Sequence, residues 1–291
     1  MYQRLFVLLL LALVATPADA QIRRHQRKRS TNAGTLFFYW GYNRTAYTKS
    51  TIHFTGPDYD FELKGVKATD RQPKFGANTY LNPANMTIPQ YNFRIGYYFT
   101  EKWALSFGVD HFNYVMAPNN EVVMDGHFGI GVDSVWTGNY QQQSTTINPN
   151  HFHYEHSGGL NYLRIELMRS YDLWEAGSHR EFAITGNVGL NLGPMLTTTN
   201  FLFANEKTNR ATALSGYGIG ANASVRLEFF KHVFIQGEGG LAFAHLPGVR
   251  TRPNDRNQRA RQAFGLATYN VSLGLIFYIK TKNGCDSCPH W

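Results

Sequence analysis

Eight stretches of the chain alternate, residue by residue, between large apolar side chains and small or polar ones. A period of two is typical of a β-strand with two different faces, because successive side chains point to opposite sides. With its flanking residues, each stretch has the length of about 9–11 residues that a tilted strand needs to cross a bilayer. The stretches lie at 36–42, 93–99, 103–109, 163–167, 182–192, 217–227, 233–243 and 269–279.

The faces opposite the apolar ones carry glycine, serine, threonine, asparagine and a few charges. Lys102, Lys231 and Lys280 lie at strand ends or in turns, whereas strands facing water would carry several lysines along their length. Small and polar side chains fit a narrow lumen, which favours apolar faces in lipid over the reverse arrangement of a soluble barrel. Aromatic residues near strand ends are expected to form girdles at the membrane interfaces. These residues are Trp40, Tyr98, Phe99, Trp103, Trp174, Phe229, Phe230 and Tyr278.

The connections between the stretches alternate between short and long, which is typical of outer-membrane barrels with periplasmic turns and extracellular loops. The sequence therefore predicts an all-β fold, an antiparallel transmembrane β-barrel of eight strands. Residues 51–66 and 122–136 also have hairpin patterns, so 10 or 12 strands are alternatives; we favour eight, with hairpins above the bilayer. The short connections are 100–102, 171–180 and 230–232, and the long ones are 49–90, 116–159, 196–213 and 246–262.

The start of the chain has the pattern of a cleaved secretory signal. Arg4 precedes an apolar run at 5–15, and Ala18 and Ala20 supply the small residues of a cleavage site. No later apolar run reaches the length of a helical span, which is about 20 residues. We expect a signal peptide at 1–20, a basic segment at 21–33, the barrel at 34–280 and a periplasmic tail at 281–291.

Composition agrees with a membrane barrel and adds a basic surface. Aromatic residues make up 15% of the chain, charged residues only 16%, and the net charge is +8. Export argues against nucleic acid as a partner, and anionic lipid headgroups or lipopolysaccharide phosphates fit better. A solvated tail and loop without a ligand is the simpler alternative. The candidate contacts to lipopolysaccharide are Arg250, Arg252, Arg256, Arg259 and Arg261.

Charged residues on the inward faces are the main candidate for chemistry. Buried charges are tolerable when they are paired and hydrogen-bonded, so we expect a salt-bridge network that fills the tube. The interior of an eight-stranded barrel is just filled by side chains, which favours this hypothesis over a gate or solute path. The expected members of the network are Arg94, Asp110, Arg164, Glu166, Arg226, Glu228 and Glu238.

Two further motifs are weaker signals. His151, His153 and Glu155 would share one face of an extended segment and could ligate a metal, but three ligands on one strand rarely complete a site. A polar loop is the favoured interpretation, with no metal or other cofactor. Cys285 and Cys288 follow the last stretch, and a local disulfide is the expectation in an oxidising compartment.

Enzymatic chemistry has little support in the sequence. A barrel hydrolase or acyltransferase needs a hydroxyl nucleophile near a base such as histidine. His111 and Ser157, the latter beside His156, are the only weak candidates, and no spacing marks a nucleophile. We therefore expect a protein that is not an enzyme.

The segment at 154–162, Tyr-Glu-His-Ser-Gly-Gly-Leu-Asn-Tyr, leads into one stretch, and an alternating run at 269–279 forms the last one. Through this pattern, residues 34–280 resemble small outer-membrane barrels of the outer-membrane protein A, X and W types. They resemble still more the outer-membrane β-barrel proteins of Bacteroidetes-like bacteria. We expect a monomer inserted by the barrel assembly machinery, in contact with outer-membrane lipids and lipopolysaccharide. We expect a structural or surface-interaction role, with a narrow solute channel and a lipid A-modifying enzyme as alternatives.

Overall fold

A computed structural model describes residues 32–82, 84–177 and 180–279. The signal peptide at 1–20, nearly all of the basic segment and the tail with Cys285 and Cys288 lie outside these residues. The described chain folds into thirteen strands and one short helix. In chain order they are β1 (Thr35–Tyr47), β2 (Ser50–Gly56), β3 (Tyr59–Val66), β4 (Ala68–Thr69), α1 (Ala77–Tyr80), β5 (Tyr91–Tyr98), β6 (Trp103–Met116), β7 (Asn120–Phe128), β8 (Gly138–Ile147), β9 (His153–Ala176), β10 (Phe182–Phe203), β11 (Glu206–Phe229), β12 (Val233–Arg250) and β13 (Arg259–Tyr278).

Eight of these strands form a closed antiparallel ring in the order β1, β5, β6, β9, β10, β11, β12 and β13. The first and last strands close the ring by pairing from Thr35 with Tyr278 to Tyr47 with Leu266. Closure removes free sheet edges, so the backbone polar groups are paired where lipid offers no hydrogen bonds. Each ring strand coincides with one of the eight alternating stretches to within one residue at its end or contains it, and the prediction of an eight-stranded barrel is confirmed.

The bulky apolar face of each ring strand points outward. On β13, for example, Val271 and Leu273 are 61% and 60% exposed, whereas their neighbours Asn270 and Ser272 are 6% and 2% exposed. Contiguous rows of exposed large apolar side chains are unusual on a protein surface in water and are expected on one in lipid. Among the described residues, no helix is long and apolar enough to cross a membrane.

Two of the aromatic residues that were expected in the interfacial girdles face inward instead. Tyr98 is buried and its hydroxyl lies 2.8 Å from Ser170 Oγ in the lumen. Tyr278 packs against the buried aromatic cluster near the periplasmic end. The prediction was wrong for both because each occupies the inward phase of its strand.

The strands continue beyond the membrane on the side of the long connections. The hairpin predicted at 51–66 is formed by β2 and β3. The second hairpin consists of β7 and β8, so its second strand begins at Gly138, beyond the predicted range. The expected loop at 196–213 is a third hairpin, in which β10 and β11 are joined by Ala204 and Asn205. Both of these residues have positive φ, as a tight type I′ turn requires.

These extracellular strands enclose an aromatic core, which we call the cap core. β2 pairs with β13, so the β2–β3–β7–β8 sheet continues the barrel wall. The rings of Phe61 and Phe128 have centroids 4.4 Å apart, and those of Phe54 and Phe61 are 5.1 Å apart. The hairpins therefore form a folded cap above the membrane. Its largest buried aromatic residues are Phe54, Phe61, Phe128, Phe152, Phe201, Phe203, Tyr114 and Tyr154.

Candidate functional site

The lumen holds a cluster of five charged side chains, which we call the lumen cluster. Arg94 lies 2.7 Å from Asp110, measured from Nη2 to Oδ2. Arg164 Nη2 lies 2.9 Å from Glu166 Oε2 and 3.1 Å from Glu238 Oε1, and its Nη1 lies 3.3 Å from Asp110 Oδ2. Each of the five side chains is at most 6% exposed. The cluster thus links carboxylates from β6, β9 and β12 through two guanidinium groups.

Strand alternation and one glycine explain how the cluster forms. Arg94 occupies the inward phase of β5, and its cross-strand neighbour on β6 is Gly108. A Cβ atom at Gly108 would lie 2.6 Å from Arg94 Cδ, so the missing side chain leaves room for the arginine stem. Arg164 and Glu166 share the inward face of β9 because they are two residues apart.

Neutral side chains complete the hydrogen bonding of the carboxylates. Asn222 Nδ2 donates to Glu166 Oε1 at 2.7 Å. Gln236 Nε2 and the hydroxyl of Tyr39 donate to Glu238 Oε2 at 3.3 and 3.5 Å. Such partners reduce the cost of burying charge, which is high for an ion that lacks them.

Arg226 lies nearer the periplasmic end, between two aromatic rings. Its guanidinium carbon is 4.0 Å from the ring centroid of Phe234 and 4.9 Å from that of Phe37. Its Nε donates to Gln236 Oε1 at 3.0 Å, which connects it to the lumen cluster. With Arg226, three arginines balance the three carboxylates, and the six buried charges sum to zero.

Glu228 lies apart from the others at the periplasmic rim. It contacts Arg180 at 3.2 Å and accepts a hydrogen bond from Thr185 at 3.0 Å. The structure therefore gathers five of the seven predicted lumen charges, places Arg226 in an adjoining aromatic layer and separates Glu228. The sequence reasoning missed Phe37 and Phe234, although both lie on the inward phase of their strands.

Buried side chains occupy the lumen at successive levels. The aromatic layer around Arg226 lies at the periplasmic end, and the lumen cluster follows it. Above the cluster, the Tyr162 hydroxyl donates to Asn191 Oδ1 at 2.8 Å, and Asn191 Nδ2 donates to Asn222 Oδ1 at 3.0 Å. The cap core begins at this layer, because Tyr162 also belongs to it.

The extracellular arginines divide into exposed and buried members. Arg256, Arg259 and Arg261 are exposed, and Arg250 is half-buried beside its cross-strand neighbour Arg259. Arg252 is only 4% exposed. Its guanidinium donates to Thr208 Oγ1 at 2.8 Å and to the carbonyl of Phe203 at 3.1 Å. The expectation that Arg252 contacts lipopolysaccharide was wrong, because burial and these internal bonds occupy its side chain.

The candidate metal ligands separate into two pairs. His153 Nε2 lies 2.8 Å from Glu155 Oε2 on β9, whereas His151 precedes the strand and lies 3.1 Å from Asp133. Within the described ranges, no group of three or more histidine, cysteine or acidic residues is placed to hold a metal ion. Burial raises the pKa of Glu155, but hydrogen bonds from its neighbours, chiefly His153, outweigh burial and lower this pKa to about 2.

The candidate catalytic residues do not form a nucleophile–base pair. Ser157 Oγ donates to Glu155 at 2.5 Å, while the neighbouring His156 lies 3.1 Å from the hydroxyl of Thr199. His111 Nδ1 lies 2.7 Å from Asn161 Oδ1. In the described chain, neither histidine is thus bonded to Ser157.

The closed ring, its apolar outer wall and its charged interior define a transmembrane β-barrel of the bacterial outer-membrane class. The turn between β5 and β6, like that between β11 and β12, is short, whereas the opposite end carries the long hairpins. Short turns face the periplasm in this class, so the cap lies on the cell surface. The protein is located in the outer membrane.

No protein-family model matches the sequence, and no curated protein does. Solved structures of small outer-membrane barrels are similar to it. OprG of Pseudomonas aeruginosa is 14% identical with a TM-score of 0.38, over 87% of this chain and 99% of that one. Ail of Yersinia pestis is 10% identical with a TM-score of 0.33, over 84% and 99%. The N-terminal barrel domain of OprF from Pseudomonas aeruginosa is 10% identical with a TM-score of 0.30, over 84% and 98%.

Proposed function

We propose that this protein is a closed, non-enzymatic barrel with a structural or surface-interaction role. The filled lumen carries the proposal: the aromatic layer around Arg226, the lumen cluster and the cap core follow one another along the tube. An eight-stranded barrel is just wide enough for side chains to fill it, so little space remains for a solute. The cap, in contrast, offers a folded surface to the surroundings of the cell.

Planar-bilayer recordings test whether the barrel is closed. We expect the reconstituted wild-type protein to give no conductance steps above the lipid baseline. Glu166→Ala and Arg226→Ala each remove a large side chain that is buried in the lumen. Steps in the wild type whose size changes in these variants would contradict the closed barrel and support a narrow channel for small solutes.

Arginines on the cap support lipopolysaccharide as a partner. We propose that Arg250, Arg256, Arg259 and Arg261 contact its phosphates, because guanidinium groups bind phosphate in a bidentate manner. We expect the double variant Arg259→Gln with Arg261→Gln to retain less lipopolysaccharide through purification than the wild type. A matched control, Arg210→Gln, changes an exposed arginine of β11. Equal retention by the double variant and the control would contradict the contact.

Analysis of lipid A tests whether the protein is an enzyme. Mass spectra of lipid A from cells that express the protein should show no new species. A mass shift that disappears in His111→Ala or Ser157→Ala would identify a lipid-modifying enzyme and contradict the proposal.

We also propose that the protein is a monomer that the barrel assembly machinery inserts into the membrane. The molar mass of the purified protein in detergent tests its monomeric state.

A further inference from the structure

The lipid-facing wall carries a furrow where small residues interrupt the bulky apolar face. The furrow has a volume of about 760 Å³. Its floor includes Ala221, Ala223 and Gly239, which all occupy outward positions on β11 and β12. Leu190 and Leu241 line it too and are 69% and 70% exposed. The lining is almost entirely apolar except at one end.

Arg169 stands at that end of the furrow, on the outward face of β9. Its guanidinium carbon lies 5.3 Å from the ring centroids of both Trp103 and Tyr171. Its Nε is enclosed without a hydrogen-bond partner. None of the ion pairs among the described residues involves Arg169. This cation therefore lacks the anionic partners that the lumen arginines have.

The position of Arg169 along the membrane normal is set by its cross-strand neighbour. Trp103 pairs with Arg169 and begins β6 directly after the periplasmic turn. Tryptophan and tyrosine concentrate at the level of lipid headgroups, and a charged residue on the lipid face is best tolerated near this level. Arg169 thus lies near the headgroups of the periplasmic leaflet.

The furrow rises from this level toward the cell surface. It follows a row of cross-strand neighbours from Leu167 on β9 to Ala267 on β13. Leu167 pairs with Leu105, two residues after the periplasmic start of β6. Ala267 pairs with Ala46, one residue before the extracellular end of β1. An apolar chain that starts at Arg169 can therefore follow the furrow into the bilayer.

We propose that Arg169 and the furrow bind one glycerophospholipid of the periplasmic leaflet. The phosphate is held by the Arg169 guanidinium beside Trp103 and Tyr171, and an acyl chain lies over Ala223 and its neighbours. Charge complementarity selects this occupant, because Arg169 is the one cation among the described residues that line the furrow, and a phospholipid phosphate is the anionic group at that depth. Lipopolysaccharide occupies the opposite leaflet and cannot bring its phosphates to this level.

Native mass spectrometry of the full barrel, purified in mild detergent, tests the proposal. We expect the wild type to carry one phospholipid, identified by its released mass. Arg169→Gln removes the charge and should lower occupancy by about tenfold or more, as expected for loss of a charge-assisted bond. Ala223→Phe fills the furrow from the lipid side and should also lower occupancy, because its ring takes the space of the acyl chain. Arg210→Gln and Val271→Phe are matched controls outside the furrow and should retain the lipid.

Heat-modified migration on gels shows that each variant is folded before its lipid is counted. If the folded Arg169→Gln variant or the folded Ala223→Phe variant carries as much phospholipid as the wild type, the proposal is overturned. Bound lipid A that depends on Arg169 would overturn it as well. The closed-barrel proposal is judged separately by conductance, so either can fail without the other.

Discussion

Arg164 contacts carboxylates that reach it from three strands of the ring. Asp110, Glu166 and Glu238 lie within 3.3 Å of its terminal nitrogens. These carboxylates repel one another. Because they are buried and little water screens them, the arginine offsets their repulsion. At the scale of single residues, the interior is therefore stable as a neutral set and unstable when one member is removed.

Replacing Arg164 by alanine should destabilise the barrel by about 3–5 kcal/mol, because Glu238 then loses its ion pair and Asp110 and Glu166 keep only Arg94. Urea unfolding in lipid vesicles, followed by tryptophan fluorescence, measures the change. Arg259→Ala removes an exposed arginine and should change the unfolding free energy by less than about 0.5 kcal/mol. Equal unfolding free energies for the two variants would contradict a structural role for the lumen cluster.

His156 makes the stability of the cap depend on pH. It is fully buried, and burial lowers its pKa from 6.5 to about 3, although nearby Glu155 opposes this shift. The unfolded chain therefore binds a proton below pH 6.5 that the folded chain does not, and stability falls from there toward pH 3. The Glu155 pKa falls from 4.5 to about 2, so this carboxyl adds its own loss only at lower pH.

Between pH 6.5 and 4.5, the wild type should lose unfolding free energy with a contribution from His156 of up to about 1.4 kcal/mol per pH unit. His156→Gln should remove this contribution. Thermal unfolding of the wild type and of His156→Gln in detergent, at several pH values in this range, compares the two proteins. Identical pH dependence in both proteins would show that His156 is protonated as readily in the folded as in the unfolded state.

At the scale of strands, inward aromatic rings pack over glycines of the adjacent strand. Phe37 on β1 faces Gly96 on β5, and Phe234 on β12 faces Gly274 on β13. A Cβ atom at Gly96 or at Gly274 would lie 2.1 Å from the nearest ring carbon. These glycines therefore position the two rings that enclose Arg226, as rings over glycine support neighbouring strands in other sheets.

Gly96→Ala should displace the Phe37 ring and destabilise the barrel by about 1–3 kcal/mol, as overpacking does elsewhere. Gly237→Ala is the matched control, because a Cβ atom at Gly237 meets nothing within 4 Å. Urea unfolding in lipid vesicles measures the free energy of unfolding of both variants. A larger effect at Gly237 than at Gly96 would contradict the packing described for the aromatic layer.

Alternation along the chain was sufficient to predict the eight ring strands and the inward phase of the charges, because both follow from a period of two. It did not predict which charges meet: Arg164 and Glu238 are 74 residues apart, and their contact depends on the register of the closed ring. The start of β8 was missed because 138–147 is polar on both faces. The burial of Arg252 depends on how two hairpins pack, which no local pattern records.

The short turns of the barrel face the periplasm, and the cap faces the cell surface. Trypsin added to intact cells should cut near Arg256, which is exposed between β12 and β13. Lys102 and Lys231 lie in the short turns and should be spared. Peptide mapping of the fragments identifies the cleavage sites. Cleavage at Lys102 or Lys231 before cell lysis would contradict this orientation.

The apolar face of each ring strand contacts lipid, and the opposite face lines the lumen. Nitroxide labels placed singly at 269–277 on β13, in vesicles, measure this through their collisions with dissolved oxygen, which concentrates in the bilayer. Tyr269, Val271, Leu273, Leu275 and Phe277 point outward, and the residues between them point inward. We predict high oxygen accessibility at the odd positions and low accessibility at the even ones. Absence of this period, or its reversal, would contradict an apolar wall in lipid around a charged interior.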